Sequence, residues 1–409
     1  MRNTQTFEAL RRPWQPKSRT HLRSAILPLI VALSSGVACS GGGTRLAGSR
    51  VWNFTDVPVV DARMVCRSTD TKWFYSRFNV RDDPKPEDAI VKLLPEGRRI
   101  WVVRWRGIME ALDVDTRTVR AEGPDGLVVD AAVAVDGTVL ALVAAERGEQ
   151  ASVWRHETEG RWSRISHLPE IGCKRLIGMS RYRDGLVAVT ERWLYLSVDG
   201  RTWHGVALRT PLDEAPWTAV ACSDEACYAA LNRGEFGGGV YRIEVPSARV
   251  VPIKLQLWSE SINGLVPDPT RRNCVLASFD GITYGSVGRI CDTSAQVLLG
   301  RPTPPPPAAS RRADGAPVEP WTEPFLSVAA ERDVIVATTE RRIFVVRERE
   351  TTTRETPAHG MGVGGLTVSF EMPGVVLVDR TIPSSSTVRP AWLAAIVDQR
   401  GVPTDGGAD

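Results

Sequence analysis

Short apolar runs, each about the length of one strand, recur along the chain from residue 90 onward. "RIWVVRW", "DAAVAV", "TVLALVAA", "GLVAVT", "TAVACS", "CVLASF", "VIVATT" and "RIFVV" are rich in valine, isoleucine and aromatics and are bounded by turn residues. No long stretch repeats its apolar positions every 3.6 residues between helix caps, so the pattern predicts an all-β fold. The 35 glycines and 28 prolines, spread through the chain, suit many short strands joined by turns.

The runs also recur at a fixed interval. Repeat starts fall near Ala89, Ala131, Arg175, Thr218, Ile262, Phe325 and Gly364, at spacings of 42, 44, 43, 44, 63 and 39 residues. A period near 42 predicts one four-stranded propeller blade per repeat, hence a β-propeller of seven blades, with six or eight as the neighbouring counts. The long spacing contains "RPTPPPPAASRRADGAPVEP", residues 301–320, which cannot sustain ladder hydrogen bonds. Without those 20 residues the spacing is 43, so the run is expected to be a surface insertion of extended polyproline form. The propeller is expected to occupy residues 51–398 as a single domain, followed by a disordered tail over 399–409. Residues 51–86 precede the first repeat and are expected to supply a closing strand.

Hairpins inside the repeats share a plan. "SVDGRTW", Ser197 to Trp203, combines an acidic residue, a glycine and a tryptophan at a tight turn. "DVDTRTV", beginning at Asp113, has valine, aspartate, arginine and threonine at the same offsets two periods earlier, and "EGRW" ending at Trp162 supplies a third, looser copy. The motif therefore marks the hairpin between the third and fourth strands. Asp199 can accept hydrogen bonds from turn N–H groups, Gly200 permits the tight backbone, and Trp203 is expected to point between blades.

With Ser197, Asp199, Gly200, Thr202 and Trp203 in the S-x-D-G-x-T-W arrangement, this stretch resembles the Asp-box of bacterial neuraminidase repeats. The resemblance implies a propeller and no particular reaction. Asp-boxes occur in sialidases and other glycosidases, and also in photosystem-assembly-type and sortilin-type propellers that are not glycosidases. A retaining sialidase would need three arginines, a tyrosine nucleophile with its glutamate, and an aspartate acid/base. No arginine here stands in the Arg-Ile-Pro context that marks the first of them.

The first 38 residues read as an export signal. Arg2, Arg11, Arg12, Lys17, Arg19 and Arg23 precede the apolar run "AILPLIVAL", and small residues follow. Nine apolar residues fall well short of the ~20 that span a bilayer as a helix. "GVAC" before "SGGG" resembles a lipoprotein lipobox, which implies lipidation at Cys39 and a flexible tether over residues 39–50; Gly36 stands where that motif usually has a larger apolar residue. Ser40 favours an outer-membrane address, with plain secretion as the alternative. The whole chain is +3, but the leader holds six basic residues and one acidic, so the remainder carries 45 basic against 47 acidic. That balance argues against a nucleic-acid surface.

Six cysteines remain beyond Cys39, an even number that suits disulfides in an exported chain. Cys222 and Cys227 flank a four-residue turn. Cys274 and Cys291 flank the Asp280–Gly281 turn almost symmetrically. Cys66 and Cys173 would then form a long-range pair, the alternative throughout being buried free thiols. No CxxC pair or histidine cluster accompanies them, so no metal is expected. No G-x-S-x-G, H-E-x-x-H or G-x-x-x-x-G-K motif occurs and no cofactor is expected. His156 and His204 lie beside third-to-fourth-strand turns and are expected to be exposed. The sequence thus predicts a monomeric, membrane-tethered binding or scaffolding module with a protein or glycan partner. The alternative is a glycan-binding or glycan-hydrolysing, sialidase-like propeller.

Overall fold

The computed structural model describes residues between 90 and 394, interrupted at several connections, of which 301–322 and 380–391 are the longest. The signal, Cys39, the tether, Cys66, Cys173, the proline-rich run and the 399–409 tail lie outside the described residues.

Four successive strands form each of the first six sheets, paired antiparallel in chain order. Blade 1 contains β1 (Ile90–Glu96), β2 (Arg99–Arg104), β3 (Met109–Asp113) and β4 (Thr118–Ala121). Blade 2 contains β5 (Leu127–Val133), β6 (Val139–Ala144), β7 (Ser152–His156) and β8 (Trp162–His167). Blade 3 contains β9 (Leu176–Tyr182), β10 (Gly185–Thr190), β11 (Trp193–Ser197) and β12 (His204–Ala207). Blade 4 runs through β13 (Trp217–Cys222), β14 (Ala226–Asn232), β15 (Gly238–Glu244) and β16 (Arg249–Pro252). Blade 5 runs through β17 (Ser261–Pro267), β18 (Cys274–Gly281), β19 (Tyr284–Cys291) and β20 (Ser294–Gly300). Blade 6 has β21 (Ser327–Glu331), β22 (Val334–Thr338), β23 (Arg342–Arg347) and β24 (Glu350–Glu355). A final sheet has only β25 (Val363–Ser369), β26 (Gly374–Asp379) and β27 (Trp392–Ala394).

The first strand of each sheet lies against the first strand of the next, from β1 through β5, β9, β13, β17 and β21 to β25, and β25 returns to β1. The fold is an all-β propeller. The expectation of seven four-stranded blades is corrected: the described residues form six complete blades, and the last unit is a three-stranded sheet. Every predicted repeat start falls inside a first strand or within two residues of one.

The apolar core is divided among the seams between blades. One cluster joins Trp101, Met109 and Leu94 of blade 1 to Val128, Val139 and Val143 of blade 2. Another joins Leu140 and Leu142 of blade 2 to Met179, Leu186 and Trp203 of blade 3. Similar clusters fill the seams between blades 4 and 5 and between blades 5 and 6. Blade 2 buries one face against blade 1 and the other against blade 3, which explains why its middle strand "VLALVA" is buried throughout rather than alternating, as "GLVAVT" is in blade 3.

A β-bulge recurs near the start of the first strand in blades 1, 2, 3 and 5 and in the last sheet, with Val91, Val129, Ile177, Asn263 and Gly364 as the extra residues. A bulge re-aims the side chains that follow it. It places Lys92, Asp130 and Gly178 at equivalent positions on three adjacent first strands.

Candidate functional site

The Ser197–Trp203 turn joins β11 to β12, the third and fourth strands of blade 3, as expected. Gly200 N donates to Ser197 Oγ at 2.8 Å, and Arg201 N and Thr202 N donate to Asp199 Oδ1 at 2.8 and 3.2 Å. Gly200 has φ of +76°, and a Cβ there would stand 2.9 Å from Leu140 Cδ1 in blade 2. Glycine is thus required both by the left-handed backbone and by the closeness of the next blade. Trp203 is 6% exposed and packs into the seam between blades 2 and 3. Its Nε1 donates to Gly200 O at 2.9 Å and to Ser166 Oγ of blade 2 at 3.1 Å, while Ser166 Oγ donates to Gly200 O at 2.6 Å.

The other third-to-fourth-strand turns repeat parts of this arrangement. In blade 1, Thr116 N donates to Asp113 Oδ1 at 2.8 Å, the counterpart of the bond from Gly200 N to Ser197 Oγ. In blade 2, Trp162 Nε1 donates at 2.5 Å to Glu122 O, the residue that follows the last strand of blade 1. The tryptophan of the hairpin again reaches back to the preceding blade.

Burial alone would raise the Asp199 carboxyl, but the N–H groups of Arg201 and Thr202 outweigh it and hold it below the ordinary value of 3.8. The Thr116 N–H does the same for Asp113, and the Thr138 N–H for Asp136 in the turn between β5 and β6. A depressed folded value adds stability that is complete above the unfolded value and lost as pH falls through the folded one. Stability is therefore expected to be flat above about pH 5 and to fall below about pH 4, as these turn carboxylates protonate. Urea titrations across that range check this. Asp199→Ala is expected to cost about 1 kcal/mol and to flatten the acid limb of that profile.

On the inner strands, Asp130 gathers bonds from three blades. Its carboxylate accepts from Lys92 Nζ of blade 1 at 3.0 Å, from Met179 N of blade 3 at 2.7 Å and from its own neighbour Ala131 N at 2.8 Å. Lys92 Nζ also donates to Met179 O at 2.9 Å. A Cβ on Gly178 would meet Asp130 Oδ2 at 2.6 Å, so the glycine makes room for the carboxylate. A second pair, Arg104 Nε to Glu110 Oε2 at 2.6 Å, is almost wholly buried between β2 and β3.

His156 is corrected from an exposed rim residue to a buried one, 9% exposed. Its Nδ1 lies 2.9 Å from Glu96 Oε2 of blade 1, which also accepts from Trp101 Nε1 at 2.7 Å. The imidazole stands edge-on to Trp101, with ring centroids 4.7 Å apart. His204 is half-buried and His167 exposed. Of the Arg181–Arg183 segment, Tyr182 is buried, and the exposed Arg183 donates from Nε to Asp224 O of blade 4 at 2.6 Å.

Two of the expected disulfides are present, Cys222–Cys227 and Cys274–Cys291, each between residues directly opposed in an antiparallel pair. The first fastens the hairpin whose tip meets both flanking blades. Asp224 O accepts from Arg183, and Asp224 N donates to Arg272 O of blade 5 at 2.7 Å. Removing Cys274–Cys291 by a double alanine substitution is expected to cost about 3 kcal/mol, and removing Cys222–Cys227 about 2, because the first closes the longer loop. Denaturant midpoints of the two variants check the order.

No family model matches the chain, and no curated protein matches it. Among solved structures it is similar to the extracellular domain of a putative hybrid two component system from B. thetaiotaomicron, at 13% identity and TM-score 0.45, over 73% of this chain and 38% of that one. The chain thus spans well under half of that protein's length. It is similar to the β-propeller domain of Cps50 (Swd1) from Myceliophteria thermophila, at 13% identity and TM-score 0.44, over 73% of this chain and 95% of that one. It is also similar to YCF48 bound to a D1 peptide, at 10% identity and TM-score 0.48, over 72% of this chain and 89% of that one. The propeller assignment rests on the strand order and the closed circuit of first strands.

The two ends of the ring differ. At one end lie the short turns between first and second and between third and fourth strands, which the bonds above hold shut. At the other end the fourth strands hand over to the next blade through residues 122–126, 168–175, 208–216, 253–260, 301–326 and 356–362. Longer connections on a rigid scaffold are where partner recognition concentrates.

Proposed function

We propose that the protein is an exported β-propeller, held to the cell envelope by a lipid on Cys39, that binds or scaffolds a partner through the end of the ring where fourth strands hand over to first strands. The observation that carries this reading is the commitment of its chemistry-bearing side chains to the framework. Asp199 holds a turn, Asp130 joins three blades, Glu96 engages His156 and Trp101, and Glu110 engages Arg104. The Ser197–Trp203 hairpin serves as a structural Asp-box within this reading. The two disulfides support an oxidising compartment.

Crosslinking and pull-down from membranes tests the proposal. A partner should be captured in near-stoichiometric amount by the native protein and lost when the exposed side chains of the handover links are removed, beginning with Arg209→Ser and Thr210→Gly, which leave the buried Leu208 and Leu212 in place. Cys39→Ala should abolish labelled-palmitate incorporation and release the protein from the membrane fraction. Unchanged palmitate labelling would overturn the anchor. Release of sugar from a glycan substrate by the purified protein would replace the binding reading with the sialidase-like one.

A further inference from the structure

The outermost strand of blade 6 differs from the other fourth strands. β24 lies at the rim of the ring, paired on its inner side with β23 through an unbroken register from Glu350 to Glu355. Glu350, Thr351, Thr352 and Thr353 are all exposed. Successive residues of a strand face opposite ways, so neither neighbouring blade covers this stretch. In blades 1 to 5 no fourth strand has more than two exposed residues in succession.

Strand edges at a surface are commonly guarded by prolines, lysines or bulges. Ile165 bulges in β8 and Leu298 in β20, and β16 ends at Pro252. β24 carries none of these guards and has three consecutive threonines, which favour strands. What it has instead is a charge pattern. From residue 349 the sequence reads "RETTTRE", and run antiparallel against itself it sets every acidic residue against a basic one.

We propose that two copies of the protein pair antiparallel through β24, around a two-fold axis at Thr352, and so join their sixth blades edge to edge. In this register Glu350 lies opposite Arg354 of the second copy, and Arg354 opposite Glu350, with threonines paired between them. Sliding the strands by two residues in either direction puts Glu350 opposite a threonine, so the charges select one register. Backbone geometry fits the same axis. Arg347 and Glu350 oppose each other across a two-residue connection. Such a hairpin closes on a hydrogen-bonded pair, so residues 350, 352 and 354 bond to β23. Thr351 and Thr353 therefore turn their N–H and C=O groups outward, where Thr351 exchanges both bonds with Thr353 of the second copy. Thr352 faces its own counterpart across the axis, in the closer, non-bonded type of pair. The monomer expected from the sequence would then be one half of a weak, reversible dimer.

Analytical ultracentrifugation of the intact protein tests this. A single strand pair is a small interface, so a dissociation constant on the order of 10 to 100 µM is expected. Glu350→Arg and Arg354→Glu should each raise it about tenfold or more, because like charges then oppose each other on both sides of the axis. Mixing those two variants should restore the dimer, and so should combining both changes in one chain; a folding defect would be rescued by neither. In Thr352→Cys, oxidation should join two copies through residue 352, as mapped by peptide mass spectrometry. Thr351→Cys should not do so, since like residues one step off the axis lie about 7 Å or more apart. A protein that stays monomeric to about 500 µM, or a dimer indifferent to both charge reversals, would overturn the proposal. Thr352→Cys chains that join no faster than Thr351→Cys chains would overturn it too, because the edge of β24 would then not meet its own copy.

Discussion

Asp130→Ala is expected to destabilise the propeller by about 3 to 4 kcal/mol. The carboxylate is 5% exposed and accepts from three donors in three blades. Removing it leaves the Met179 and Ala131 N–H groups without this acceptor in a buried setting, which costs more than a hydrogen bond exchanged with water. It also leaves the Lys92 ammonium without its counter-charge. Lys92 is 24% exposed, so its head can turn toward water, which keeps the loss below that of a fully enclosed ion pair. Asp130→Asn retains one acceptor oxygen and similar volume and should recover about half of the loss. A double-mutant cycle with Lys92→Met, read by urea denaturation, separates the charge pair from the amide contacts. An alanine variant as stable as the native protein would mean that the three-blade junction contributes nothing.

Why the fold was legible in the sequence and this junction was not follows from the range of the signals. The 42-residue period was visible because every blade places its first strand at nearly the same step. Ala131, Thr218, Ile262 and Gly364 all lie within such strands. The Ser197–Trp203 hairpin was legible because its bonds are local: Ser197, Asp199 and Gly200 satisfy one another within a few residues. The pairing of Cys222 with Cys227 and of Cys274 with Cys291 was local in the same way. Asp130, by contrast, meets Lys92 and Met179 across 38 and 49 residues of chain. The bulge at Val129 also breaks the two-residue alternation that would have marked it as inward-facing. A single charged residue inside the apolar run "LVVDAAVAV" was the one available cue. The burial of His156 departs from the sequence expectation for a related reason. Its position beside a turn suggested exposure, while Glu96 and Trp101, which enclose it, come from the neighbouring blade. The last sheet escaped because the period counts first strands and says nothing about how many strands follow each.

Trp203→Ala should cost a similar amount, about 3 to 5 kcal/mol, by a different mechanism. The indole is buried in the seam between blades 2 and 3, where Leu140, Ile165 and Leu186 crowd the same turn. Truncation would open a cavity between two sheets that cannot close without shifting a whole blade, so little relaxation is available. It would also remove the Nε1 donor shared by Gly200 O and Ser166 Oγ, although Ser166 would keep its own bond to Gly200 O. Trp203→Phe should recover most of the packing and none of the Nε1 bonds, placing it about 1 to 2 kcal/mol below the native protein. Asp199→Ala, which loosens the turn without opening the seam, should be the mildest of the three. This ordering distinguishes a structural hairpin from a reactive one. If Asp199→Ala abolished a measurable activity while leaving the melting temperature unchanged, the hairpin would be part of a catalytic site. If instead the losses in stability follow the order Trp203→Ala, Trp203→Phe, Asp199→Ala, its work is to hold blade 3 against blade 2.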